Sequence, residues 1–271
     1  VVVDRLTPAE KVRLRALVRR FRRVSTHLPY GPELRPLAAD AAIREKSRRE
    51  LHRAIDDSGF WGAEIANIHV LSEPGLAYAD AKPALLSLYR ELGDHAARLG
   101  LRLAIETTRP YRMADYLDLV AAIDHPQVGG SLDTGHISFF RPELGVEGSA
   151  RQTPAGIRRY NDMIAEFVSG LGPRLIHLHI DDVRPVDWRE HFVPGTGIVD
   201  WPRLFAQLAH GPYQGILAAE ILYYDGAADS APNHKRVFTQ RTRDGAPAAG
   251  LRQMRQFLEQ TLANVPTAGP R

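Results

Sequence analysis

The 271-residue chain contains no cysteine. Disulfides, thiolate nucleophiles and thiolate-held metals are thereby excluded, and any metal must be bound by His, Asp or Glu. Lysine is scarce: Lys11, Lys46, Lys82 and Lys235 are the whole set among 35 basic residues. No apolar run approaches the roughly 18 residues of a membrane span, and no leader with a basic start and an apolar middle opens the chain. A cytoplasmic protein with no membrane contact is the expectation. The formal charge of +3 raises nucleic acid as a partner. The arginines, however, read as interspersed with the 32 acids, so no nucleic-acid partner is expected. Hydrophobic residues make up 44% of the chain, ample for one barrel-sized core.

What the chain does have is six short apolar runs, each ending in a side chain able to bind metal. Val24-Ser25-Thr26 ends at His27, Ile65 to Ile68 at His69, and Leu103-Ala104-Ile105 at Glu106. Gly130-Ser131-Leu132 ends at Asp133, Leu175 to Leu178 at His179, and Ile216 to Ala219 at Glu220. Apolar strands that collect reacting groups at their C-terminal ends are the pattern of a parallel barrel.

Helical periodicity fills the gaps between the runs. The spacing predicts helices over Pro8–Arg20, Asp40–Ile55 (with Gly59 helping to end it), Ala79–Leu99 and Tyr111–Ile123. Further helices are expected over Thr153–Gly170, Trp201–Leu208 and Leu251–Leu262. Alternating strand and helix predicts a parallel sheet with right-handed crossovers. Val1-Val2-Val3 reads as a seventh strand. A (β/α)8 TIM barrel needs eight, so the expectation is an α/β TIM barrel lacking its first strand and helix. It would form one domain over residues 1–264, followed by a disordered tail at 265–271.

Glu106, Asp133, His179 and Glu220 form a set of three carboxylates and one imidazole, suited to one hard or borderline divalent ion such as Mn, Mg, Co or Zn. A Glu closing an apolar strand is a costly buried charge unless it is paired or metal-bound. Asp133, followed by Thr134-Gly135, also reads as a helix cap. His177 reads as packed interior. His52, His95, His125, His210 and His234 read as surface residues, and Lys235 to Arg243 as a solvated loop.

Five blocks together carry a family resemblance. They are Ala104-Ile105-Glu106-Thr107, Leu132 to His136, His179 to Asp182, Pro194 to Trp201 and Ala218-Ala219-Glu220. Thr26-His27-Leu28-Pro29-Tyr30 and Asn67-Ile68-His69 add to them. The chain resembles the xylose-isomerase-like barrel superfamily of sugar isomerases and epimerases, which also includes inosose-type dehydratases and AP endonucleases of the endonuclease IV type. The resemblance implies that Glu106, Asp133, His179 and Glu220 bind the metal, with Glu106 and Glu220 also exchanging the substrate proton. It implies substrate contacts for His136, His191, His27 and His69, and a sugar or polyol as the partner, with self-association left open. In the endonuclease branch His27, His69, His136 and His191 match further zinc ligands. That branch carries an Asp two residues before the last of these, where this chain has Arg189. A guanidinium there repels a second cation and attracts a substrate anion, so one metal is expected, with Arg189 and His191 serving the substrate.

Overall fold

The computed structural model describes residues 6–109, 111–222 and 246–265. Val1-Val2-Val3, His234, Lys235 to Arg243 and the tail beyond Val265 lie outside the described residues. Six strands and eight α-helices are described. The strands are β1 (Ser25–His27), β2 (Ile65–His69), β3 (Arg102–Glu106), β4 (Val128–Asp133), β5 (Leu175–Ile180) and β6 (Ile216–Ala219). They coincide with the six apolar runs. The helices are α1 (Pro8–Val18), α2 (Ala41–Trp61), α3 (Tyr78–Arg98), α4 (Met113–Ile123), α5 (Arg141–Leu144), α6 (Pro154–Leu171), α7 (Trp201–His210) and α8 (Ala246–Ala263).

The chain divides into two compact units. The first holds Val1–Glu106 and Asp118–Ser131. Its strands pair parallel, with His27 opposite Asn67, His69 opposite Glu106 and Glu106 opposite Ser131. Parallel partners share a face, and side chains two apart along a strand do too. His27, Asn67, His69 and Glu106 therefore project to one side. The second unit holds Thr107–Leu117 and Leu132–Arg271. There β5 and β6 pair parallel with His179 opposite Ala218, so Glu220, two residues on, follows the face of His179. The N–H of Thr134, just past β4, donates to the His179 carbonyl at 3.2 Å.

Several helix ends differ from expectation. Helix α1 stops at Val18 rather than Arg20. Helix α2 runs through Gly59 to Trp61, and Gly62, at φ 75°, takes the left-handed turn that ends it. Gly59 instead lies against Leu99, 3.4 Å from where a Cβ would stand. Its missing side chain serves packing, so it does not break the helix. Helix α8 begins at Ala246, five residues before the expected start. His52, His95 and His125 are half-buried rather than on the surface. Each meets a carboxylate across a helix boundary: Glu91 at 2.8 Å, Asp56 at 2.7 Å and Asp94 at 3.2 Å respectively. His210 is exposed as expected, and His177 is fully buried, its ring edge-on to His179 at 4.9 Å.

Candidate metal and sugar site

In the first unit three side chains converge on Glu106, which is fully buried. His27 Nε2 lies 3.2 Å from Oε2 and His69 Nε2 3.5 Å from Oε1. The Asn67 amide donates to Oε2 as well. A buried carboxylate needs such partners to remain charged. The rings of His27 and His69 meet edge-on at 4.9 Å, and Tyr30 lies 4.4 Å from His69 between ring centroids.

In the second unit Asp133, His179 and Glu220 come together. Their ligand atoms all lie within 4.8 Å of one another. His179 Nδ1 is 2.7 Å from Glu220 Oε2 and 3.5 Å from Asp133 Oδ2. Two carboxylate oxygens thus approach one ring nitrogen, which has at most one proton to offer. A divalent cation satisfies that donor set better than a proton does, so the residues fit the implied metal. Burial favours the neutral form of Glu220, but the His179 hydrogen bond and charge outweigh it and hold the carboxyl below its usual range.

Asp133 divides its oxygens between two tasks. Oδ1 accepts the N–H groups of Gly135 and His136, at 2.7 and 2.9 Å. It therefore holds the two N–H groups that open the short 3-10 turn His136–Phe139, whose N-cap position is Gly135 rather than Asp133. Oδ2 turns toward His179. The Thr107 hydroxyl accepts the Asp133 N–H at 3.1 Å, and the Thr107 carbonyl lies 2.9 Å from His136 Nδ1. That carbonyl requires the proton on Nδ1, which leaves Nε2 facing Asp133 at 3.9 Å.

His191 lies on the loop between Asp182 and Phe192, with a left-handed backbone at φ 72°. Both its N–H and its Nδ1 meet Asp181 Oδ2, at 2.9 and 2.7 Å. Burial and the nearby Asp133 charge raise the Asp181 pKa against the pull of His191. Burial alone would lower His191, but the Asp181 hydrogen bond and charge outweigh it and hold His191 raised. Arg189 is half-buried on the same loop, its N–H on Asp187 Oδ1 at 3.2 Å. Asp187 is engaged by Arg184 at 2.6 Å.

Asp181 and Asp182 carry roles that the sequence did not separate. The signal was present as two adjacent acids directly after the Leu175–Ile180 strand, but it does not say which partner each acid takes. Fully buried Asp182 accepts from the Gly195 N–H (2.9 Å), the Val199 N–H (3.1 Å) and the Trp201 indole (3.0 Å). It thereby holds the Pro194–Trp201 segment. Gly135 leaves room for Asp181, because a Cβ there would stand 2.6 Å from Asp181 Oδ1 and from the Glu190 Cβ. Gly135→Ala is expected to cost about 1–3 kcal/mol. A lowered thermal midpoint would show this, and a midpoint equal to wild type would mean Asp181 has room to yield.

The profile of the xylose isomerase-like TIM barrel family matches residues 3–260. The chain belongs to that family, and its fold class is the TIM barrel. No curated protein sequence matches it. Among solved structures it is similar to a D-psicose 3-epimerase with D-tagatose from Clostridium cellulolyticum H10. That pair is 16% identical over 96% of this chain and 86% of the other, with a TM-score of 0.66. A 3-keto-D-glucoside 4-epimerase from E. coli is 16% identical over 92% and 85%, with a TM-score of 0.60. A xylose isomerase-like TIM barrel protein from Mycobacterium smegmatis in complex with magnesium is 17% identical over 97% and 82%, with a TM-score of 0.59.

Proposed function

We propose that the protein is a divalent-metal-dependent sugar isomerase or epimerase. The observation that carries this is the convergence of Asp133 and Glu220 on the single Nδ1 of His179, a donor set that fits a cation. In this reading Glu106 is the fourth ligand. It takes that role from the family resemblance. Bound there, a divalent ion would polarise a substrate carbonyl and hold its two adjacent oxygens. Glu106 and Glu220 would exchange the proton on the neighbouring carbon, one from each side. Asn67, His27 and His69 hold Glu106 in position. His136 and His191, each fixed through Nδ1, would present Nε2 to substrate oxygens, and Arg189 would attract a substrate anion. The similar structures named for psicose, tagatose and keto-glucoside chemistry make keto sugars the first substrates to try, with a dehydratase on the same site as a variant.

The test is proton exchange in D2O. Metal-loaded protein incubated with D-fructose, D-tagatose or D-psicose is expected to incorporate deuterium beside the carbonyl and to form the epimer or isomer. Chelation is expected to abolish both, and readdition of Mn or Mg to restore them. Exchange that survives chelation would contradict the metal assignment.

A second reading is metal-dependent cleavage of abasic DNA. It is favoured by His27 and His69, which both converge on Glu106 as ligands of a further ion would. Metal counting separates the two readings. One metal per chain and no nicking of an abasic duplex is the expected result, whereas three metals with nicking would support cleavage. Arg189→Asp is expected to raise the metal count if this residue is what separates the branches.

A further inference from the structure

Helix α1 is apolar on two sides. Leu14 and Val18 are half-buried, and Arg15, beside them, lies over the Phe60 ring of α2 at 4.4 Å. At about 100° per residue, Ala9, Val12, Ala16 and Leu17 fall along the other side, and all four are exposed. Val12 is 64% exposed, Leu17 53%, and Phe21, in the turn after the helix, 70%. A helix with one dry face on its domain needs no second apolar stripe.

Charge gathers on the same segment. Between Lys11 and Arg23 there are seven bases and no acid, whereas the other 28 bases are outnumbered by the 32 acids. This corrects the expectation that the arginines are evenly interspersed, because the net positive charge belongs to this one stretch. Arg23 pairs with Glu64 at 2.8 Å, while Arg13, Arg19, Arg20 and Arg22 are exposed. The segment leads into the start of β1, and His27, beside Glu106, ends that strand. The patch thus precedes β1 in the chain, whereas His27 closes that strand.

We propose that the segment Pro8 to Arg23 docks the protein on an anionic phospholipid surface. Charge complementarity points to phosphate, which the guanidinium fork suits. The interleaved Val12, Leu17 and Phe21 decide between phosphate sources. A nucleic-acid backbone neutralises arginines but offers aliphatic side chains nothing to be buried in. A bilayer interface offers both, with headgroup charge for the arginines and the acyl boundary for the apolar stripe. No described helix is long and apolar enough to cross a membrane, so the contact is peripheral.

The experiment is co-sedimentation of the chain with vesicles of phosphatidylcholine, alone or with about a third phosphatidylserine. Binding is expected only to the anionic vesicles, weakening as salt rises. The triple variants Arg13→Ser/Arg20→Ser/Arg22→Ser and Val12→Ser/Leu17→Ser/Phe21→Ser are each expected to weaken binding at least about tenfold, with an unchanged thermal midpoint. Should a triple variant misfold, Phe21→Trp carries the test alone through a blue-shifted emission on anionic vesicles, against the buried Trp61, Trp188 and Trp201. Absence of binding to anionic vesicles, or no emission shift, overturns the proposal. So does tighter binding to duplex DNA that the apolar variant leaves intact.

Discussion

Glu220→Gln is expected to lower turnover on the responsive keto sugar by about a hundred- to ten-thousandfold. The thermal midpoint should stay close to that of wild type. Glu220 stands just past β6, with a side chain 34% exposed and its ion pair directed to His179 at 2.7 Å. Glutamine keeps the shape and one oxygen but can neither accept the substrate proton nor supply the ligand charge. Little of the fold rests on a residue so placed, so loss of activity without loss of stability is the signature of its role. Near-wild-type turnover in the variant would remove Glu220 from the chemistry.

Asp182→Ala is expected to act in the opposite way, on stability first. Its fully buried carboxylate satisfies three backbone N–H groups, those of Val183, Gly195 and Val199, and the Trp201 indole. Gly197 lies so close that a Cβ there would meet Asp182 Oδ1 at 2.3 Å. Leaving several donors unsatisfied costs about 3–5 kcal/mol, which lowers the thermal midpoint by roughly 10 °C or more in a chain of this size. Asp182→Asn, which keeps one acceptor oxygen, is expected to lose less. Thermal unfolding of the two variants checks the order, and an Ala variant that melts with wild type would show that the Pro194–Trp201 segment stands without its carboxylate.

The strands were legible because a parallel strand buried on both faces must be apolar throughout, so its polar terminus stands out. Strands β2 to β5 are buried almost throughout for that reason, whereas β1 and β6 are more open. Helix ends were harder to read. Gly59 looks like a stop in sequence, but the nearness of Leu99 explains it, and the stop is Gly62. Asp133 illustrates a second limit, because capping and ligation were read as alternatives, whereas Oδ1 takes the N–H groups of Gly135 and His136 and Oδ2 stays directed at His179. Asp181 and Asp182 could not be told apart, since their roles depend on which side of the strand end each reaches: one holds His191, the other the loop before α7. The basic stretch from Lys11 to Arg23 was hidden by whole-chain counts, in which its charge is diluted by an otherwise acidic protein. The identity of the substrate was not legible, because loops such as Pro29 to Pro36 and Phe139 to Gln152 impose no motif of their own.

Crystals of the metal-loaded protein, with anomalous scattering collected at the metal edge, test the central claim most directly. One peak per chain, ligated by Glu106, Asp133, His179 and Glu220, with His191 on Asp181 and off the metal, is the predicted result. Two or three peaks with His27, His69 or His191 as ligands, or no peak beside His179, would contradict it.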